Sequence, residues 1–248
     1  MHTDSTQVFP NKTALTGAAV DLFISLAQHS IKERGAFSVA LSGGSTPKAL
    51  YTQLAEPGLQ DQLAWADIHL FWGDERYVLP DHPESNFRMV KEALLSKVDI
   101  PEENVHRVKT EIDVRMAAFD YEEQLRAHFS SPWPRFDLVL LGMGTDGHTA
   151  SLFPHTAGLN EEHRWFIANQ VPAQGVWRLT LTKHAINAGR QIVVLVSGIS
   201  KADMLSVVWT GPQEPMQKPI QLISPIEGEM TWLIDQDAAS QLPAAQLT

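Results

Sequence analysis

Cysteine is absent from this chain, tyrosine occurs 3 times in 248 residues, and 19 Lys and Arg stand against 29 Asp and Glu. Without cysteine there is no disulfide, no thiolate metal site and no Cys nucleophile, which fits a reducing compartment. A net charge of −10 argues against nucleic acid, whose phosphates are held by clustered cations. No basic segment leading into an apolar core opens the chain, and no apolar run approaches the roughly 18 residues of a membrane span. No Gly/Ser linker, charge block or repeat divides it. The expectation is a cytoplasmic protein without nucleic-acid or membrane partners, a monomer or small homo-oligomer. An acidic chain that binds an anion must place its few cations locally, so individual Arg and Lys residues in loops become informative.

What is present alternates between two periods. Leu15, Ala18, Ala19, Leu22, Phe23, Leu26 and Ala27 recur at helical spacing, with Asn11 or Thr13 as start signal and Gly35 as stop. Strands are expected at 37–41, 67–72, 137–141, 165–169, 177–181, 192–196 and 230–234, and helices at 48–55, 86–97 (capped by Ser85), 114–129 and 201–208. Such alternation predicts one α/β domain over residues 1–235, a Rossmann-like, mainly parallel sheet with helices on both faces. The Ala- and Gln-rich stretch 236–248 is expected to be a loosely held tail.

Two glycine-rich loops follow apolar runs, where α/β enzymes display their chemistry. In the first, Ser42-Gly43-Gly44-Ser45-Thr46-Pro47, Thr46 fits an N-cap and Pro47 the first helical position. Its glycines allow positive φ and close approach, so the N–H groups of Gly43, Gly44, Ser45 and Thr46 could cradle a phosphate at a helix N-terminus. An ordinary strand-to-helix turn is the alternative. The loop lacks the Gly-Lys-Ser/Thr ending of a nucleotide P-loop and the last glycine of a nucleophile elbow.

The second loop, Gly142-Met-Gly144-Thr-Asp146-Gly147-His148-Thr149-Ala-Ser151, formally contains a dinucleotide fingerprint. Its mid-chain position, Pro154, and the absence of an acidic residue at the end of the next strand exclude that reading. His148 beside Asp146 is a candidate general base with its orienting carboxylate. Asp146, His148 and Ser151 are too close in sequence for a hydrolase triad, and one Asp-x-His pair is too few ligands for a metal. Arg76, after a strand, is a crevice cation or a surface ion pair. Arg178, inside an apolar stretch, is answered by a carboxylate or a ligand anion, or else faces outward. Lys201, in a first helical turn, is either solvated or opposed by a bound anion.

Taken together, Ser42–Pro47, Gly73-Asp-Glu-Arg76 with Glu84-Ser-Asn86, Leu141–Pro154, Trp177–Thr182 and Gly198-Ile-Ser-Lys-Ala202 resemble the 6-phosphogluconolactonase family in order and spacing. The resemblance spans almost the whole chain; it departs at His155, where a glycine is common, and in the tail. It implies the fold shared with glucosamine-6-phosphate deaminase and ribose-5-phosphate isomerase, and cofactor-free, metal-free hydrolysis of 6-phospho-D-glucono-1,5-lactone. The expected roles are His148 as base oriented by Asp146, Arg76 at the oxyanion, and Gly43–Thr46, Arg178 and Lys201 at the phosphate. A deaminase-isomerase is the nearest rival, although its histidine loop typically continues Ile-Ala-Phe-Asn-Glu-Pro instead of Thr-Ala-Ser-Leu-Phe-Pro154. A sugar-phosphate sensor is the non-enzymatic one.

Overall fold

The apolar runs at 37–41, 138–142 and 191–196 form strands in which nearly every residue is buried, as happens when helices cover both faces of a parallel sheet. The structure, a computed structural model, describes residues 5–243. Its strands are β1 (Ser5–Phe9), β2 (Phe37–Leu41), β3 (Ile68–Trp72), β4 (Asp74–Arg76), β5 (Val105–His106), β6 (Leu138–Gly142), β7 (Phe166–Val171), β8 (Val176–Leu181), β9 (Gln191–Val196) and β10 (Glu229–Asp235). The α-helices are α1 (Lys12–Arg34), α2 (Ser45–Leu54), α3 (Asn86–Val90), α4 (Val114–His128), α5 (Lys183–Asn187), α6 (Ala202–Thr210) and α7 (Gln236–Ala239).

Seven strands pair in the order β1-β10-β9-β6-β2-β3-β5, every pairing parallel. From β2 the chain builds outward through β3 to β5; from β6 it builds the other way through β9 to β10. The carboxyl ends of β2 and β6 therefore diverge, which opens a crevice at the topological switch point.

The segments at 165–169 and 177–181 are strands, but they lie outside this sheet. They form an antiparallel hairpin, β7–β8, to which the three-residue β4 adds a third strand. Gly73 joins the two sheets: its N–H donates to Leu41 O and its carbonyl accepts from Leu181 N, both at 2.8 Å. A Cβ there would lie 3.2 Å from Leu41 O.

Helix α1 starts at Asn11, whose side chain accepts from Ala14 N, and ends at Gly35 with φ 82°. An 18-residue stretch of its 23 residues reaches a mean hydropathy of 1.2, long and apolar enough for a membrane span by those measures, yet Leu15, Ala19, Val20, Phe23, Ile24 and Ala27 are packed into the core. Burial of each of the larger ones is worth about 1.5–3 kcal/mol.

Three expectations change. Helix α2 begins earlier than expected, capped by Gly44 with no side-chain cap, so Thr46 lies inside its first turn and Pro47 one residue further. The helix expected over 86–97 is α-helical only to Val90 and continues as a π turn, Lys91–Leu95. Residue 236 opens no loose tail: Asp235 caps α7 by accepting from Ala238 N, and Ala238 and Ala239 are buried; residues 244–248 lie outside the described ones.

Candidate active site

At the carboxyl edge of β2, β6 and β9 lies a cleft of about 230 Å³, lined by Ser42–Pro47, Asp74, Arg76, Met143, Gly144, His148, Ser197 and Lys201 among others. The two glycines of its first loop serve different ends. Gly44 has φ 104°, a conformation that side-chain-bearing residues avoid. Gly43 makes room for a neighbour: a Cβ there would sit 2.1 Å from Asn86 Oδ1. Beyond them, the N–H groups of Gly44, Ser45 and Thr46 have no acceptor among the described residues, which leaves a helix N-terminus open to an anion.

Buried tyrosines hold the strand ends that feed this edge. The Tyr51 hydroxyl accepts from Ser42 N at 3.0 Å and donates to Ser42 O at 2.9 Å. The Tyr121 hydroxyl does the same at Trp72, at 2.7 and 3.2 Å. Burial pushes both phenols above their ordinary range, so each stays neutral and can donate.

The histidine loop is a compact turn. Gly144 N–H donates to His148 O at 2.8 Å, and Asp146 Oδ1 accepts from His148 N at 3.1 Å and pairs with His148 Nδ1 at 2.5 Å. The ring stacks on Phe153 with centroids 4.2 Å apart. Burial pushes the Asp146 carboxyl up, but the hydrogen bond and charge of His148 outweigh it and hold it below the usual carboxylate range. An ionised Asp146 accepting at Nδ1 leaves the Nε2 lone pair to act as base. Ser151 points away from this pair, and its hydroxyl donates to Asp74 Oδ2 at 2.6 Å deep in the fold.

The cations divide. Arg76 and Lys201 line the cleft. Arg178 does not line it but stands directly opposite Arg76 across the β4–β8 ladder. None of the three forms an ion pair among the described residues; Arg76 Nη1 donates to the Glu84 carbonyl at 3.1 Å. Burial lowers the Arg178 guanidinium, and the Arg76 charge lowers it further. Burial also lowers the Lys201 ammonium, opposed by the Asp146 carboxylate. Arg76 therefore makes no surface ion pair among the described residues, and Arg178, half-buried and off the cleft lining, has no carboxylate partner there.

Sequence reasoning passed over the supports. Glu75 is buried, and its carboxylate accepts from the N–H groups of Arg76, Asn86 and Phe87, each at 2.7 Å. Asn86 Nδ2 in turn donates to Asp74 O at 2.9 Å. This network ties β4 to the start of α3 and sets Asn86 against Gly43. The sequence run Gly-Asp-Glu-Arg followed by Ser-Asn carried that signal, though only the fold shows which carboxylate turns inward. Lys12 also escaped notice; its Nζ donates to Ser45 Oγ at 3.2 Å.

Residues 10–232 match the sequence model of the family described as glucosamine-6-phosphate isomerases/6-phosphogluconolactonase. The chain belongs to this family. It is 42% identical over 240 residues to the 6-phosphogluconolactonase of Nostoc sp., covering 95% of this chain and 97% of that one. With the 6-phosphogluconolactonase of Synechocystis sp. it shares 44% over 239 residues, again 95% and 97% of the two chains. The solved 6-phosphogluconolactonase from Trypanosoma cruzi superimposes with a TM-score of 0.84 at 30% identity, covering 98% of both chains. A monomeric glucosamine-6-phosphate deaminase superimposes at 0.79 with 21% identity, which shows a shared fold alone. The histidine turn and the glycine cradle lie at the carboxyl edge of the seven-stranded sheet, with Arg76 and Lys201 beside them in the cleft.

Proposed function

We propose that the chain hydrolyses 6-phospho-D-glucono-1,5-lactone to 6-phospho-D-gluconate. The observation that carries this reading is the His148–Asp146 pair at 2.5 Å, set in a cleft that also holds a cradle of amides without acceptors and two cations without ion-pair partners among the described residues. A general base at one end and an anion site at the other suit a sugar phosphate whose reacting carbon lies far from its phosphate.

In this reading Gly43, Gly44, Ser45 and Thr46, with Lys201, hold the phosphate, the amides acting together with the field of the α2 N-terminus; Arg178, which does not line the cleft, adds its charge from across the β4–β8 ladder beside Arg76. His148 Nε2 takes a proton from water as its oxygen attacks C1, while Asp146 holds Nδ1. Arg76 or loop N–H groups stabilise the oxyanion. Collapse of the tetrahedral intermediate breaks the bond from C1 to the ring oxygen. The imidazolium returns its proton to that oxygen, and the new carboxylic acid ionises. General-base help of this kind is worth about 10²–10⁴-fold.

The test follows fresh lactone by NMR with the wild-type chain, with His148→Ala and with no protein, since the lactone also opens unaided. Rapid loss with wild type, and kcat lower by about 10²–10⁴-fold in His148→Ala, is the expected result. Equal rates in all three samples would overturn the reading, and ammonia release from glucosamine 6-phosphate would then put the chain with the deaminases.

A further inference from the structure

Away from the catalytic cleft, on the β3–β5 side of the sheet, three histidines converge. His69 is the second residue of β3, His106 the last of β5, and His128 the last of α4. One ring nitrogen from each lies within 4.8 Å of the other two. The sheet register brings His106 beside Phe71, and the two rings stack 4.1 Å apart at 6°. On the strand, His69 and Phe71 share a face, and α4 delivers His128 onto it, 4.7 Å from the His69 ring. All three are half-buried, so solvent reaches the cluster.

We infer that His69, His106 and His128 form a binding site for one borderline divalent cation of the zinc class, separate from the catalytic cleft. A hydrogen-bonded trio is the rival, since His69 Nδ1 and His106 Nε2 are 3.2 Å apart. That spacing serves a metal equally well, because two nitrogens about 2.0–2.1 Å from a tetrahedral ion stand about 3.3 Å apart. Closing the widest gap to that value asks each side chain to move less than about 1 Å. The ring that now donates in the pair shifts its proton to its other nitrogen, which frees both facing lone pairs with no net change of charge. Ser38 Oγ lies 2.9 Å from His128 Nε2; with His128 ligating through Nδ1, this hydroxyl is an outer contact of the type that orients ligating imidazoles. Burial, reinforced by the neighbouring imidazoles, pushes His106 and His128 down to about 4, so the rings meet as neutral donors.

Three imidazoles leave a fourth position for water. Nitrogen ligands without carboxylate or thiolate favour zinc, nickel or copper over magnesium or calcium. The bound ion would tie β3, β5 and the end of α4 together in a part of the fold that the reaction does not use.

The experiment titrates chelator-treated full-length chain with Zn²⁺ by calorimetry and with Co²⁺ by visible absorption. Saturation at one equivalent, a tetrahedral Co²⁺ band, and affinity at least about tenfold weaker in His69→Gln and His128→Gln are expected. His148→Ala should keep both the stoichiometry and the band. A folding defect in any variant is bypassed with wild-type protein: Zn²⁺ should shift the ring ¹H–¹⁵N signals of these three histidines and no others. Absence of a saturable site, binding unchanged in both glutamine variants, or binding lost in His148→Ala would overturn the assignment.

Discussion

Arg76 and Arg178 stand opposite each other on β4 and β8, like charges paired across an antiparallel ladder. Such a pair is destabilising by itself; Asp74, Glu84 and Glu75 offset it in part at Arg178, but no carboxylate forms an ion pair with either one among the described residues. An anion bound at this end of the cleft would relieve the repulsion. Arg178→Gln should therefore raise the stability of the ligand-free chain by about 0.2–1 kcal/mol while weakening binding of the product. Thermal unfolding with and without 6-phosphogluconate reads both effects. A variant that loses ligand-free stability and keeps its full ligand-induced rise in Tm would remove Arg178 from anion binding.

Tyr51 bonds both backbone groups of Ser42 from a fully buried position. Tyr51→Phe leaves that N–H and C=O without their partner, at about 1–3 kcal/mol for each buried polar group stranded. Chemical denaturation should show a loss of about 2–6 kcal/mol for the two groups, together with a raised KM because Ser42 opens the cradle. Stability unchanged within about 0.5 kcal/mol would mean that water replaces the hydroxyl.

Gly144 passes beneath the His148–Asp146 pair, where a Cβ would sit 2.1 Å from His148 Nδ1 and 2.5 Å from Asp146 Oδ1. In Gly144→Ala the two side chains must swing away, since they are the mobile partners in the clash. The fold should survive and kcat should fall by about 10²-fold, the scale of a misplacement near 1 Å. Steady-state kinetics beside a melting curve checks this. Near-normal kcat would show that the pair tolerates displacement.

The strand-end loops were legible because glycines, prolines and polar residues interrupt apolar runs within a few positions, and local chemistry fixes such turns. The parallel sheet was legible from alternation, since buried strands and amphipathic helices carry different periods. What escaped depends on contacts distant in sequence. The polar three-residue strand Asp74–Arg76 has no periodicity of its own, and only pairing with β8 defines it. Ser5–Phe9, half-exposed at the sheet edge, gave no apolar run to notice. His69, His106 and His128 have no ligand spacing, because sheet register and a helix end bring them together. Thr46 misled by composition: at a strand-to-helix turn glycine also caps, and Gly44 does so here.

Glu75 gives the chain a pH dependence that can be isolated. Burial pushes its carboxyl up to about 7 from an ordinary 4.5, the three backbone N–H bonds pull it down, and Asp74 adds a further upward push. The folded chain thus holds this proton more tightly than the unfolded chain. Its contribution is complete below about pH 4.5 and is lost as pH rises through about 7. Glu75→Gln cannot titrate, so it should lack that component. Denaturation at pH 5, 6, 7 and 8 should show the wild-type stability, measured against the variant, declining across the interval. Other titrating groups, the half-buried histidines included, cancel in that difference. A constant difference across the four pH values would mean that the three N–H donors keep Glu75 ionised throughout, acting as a fixed cap on α3.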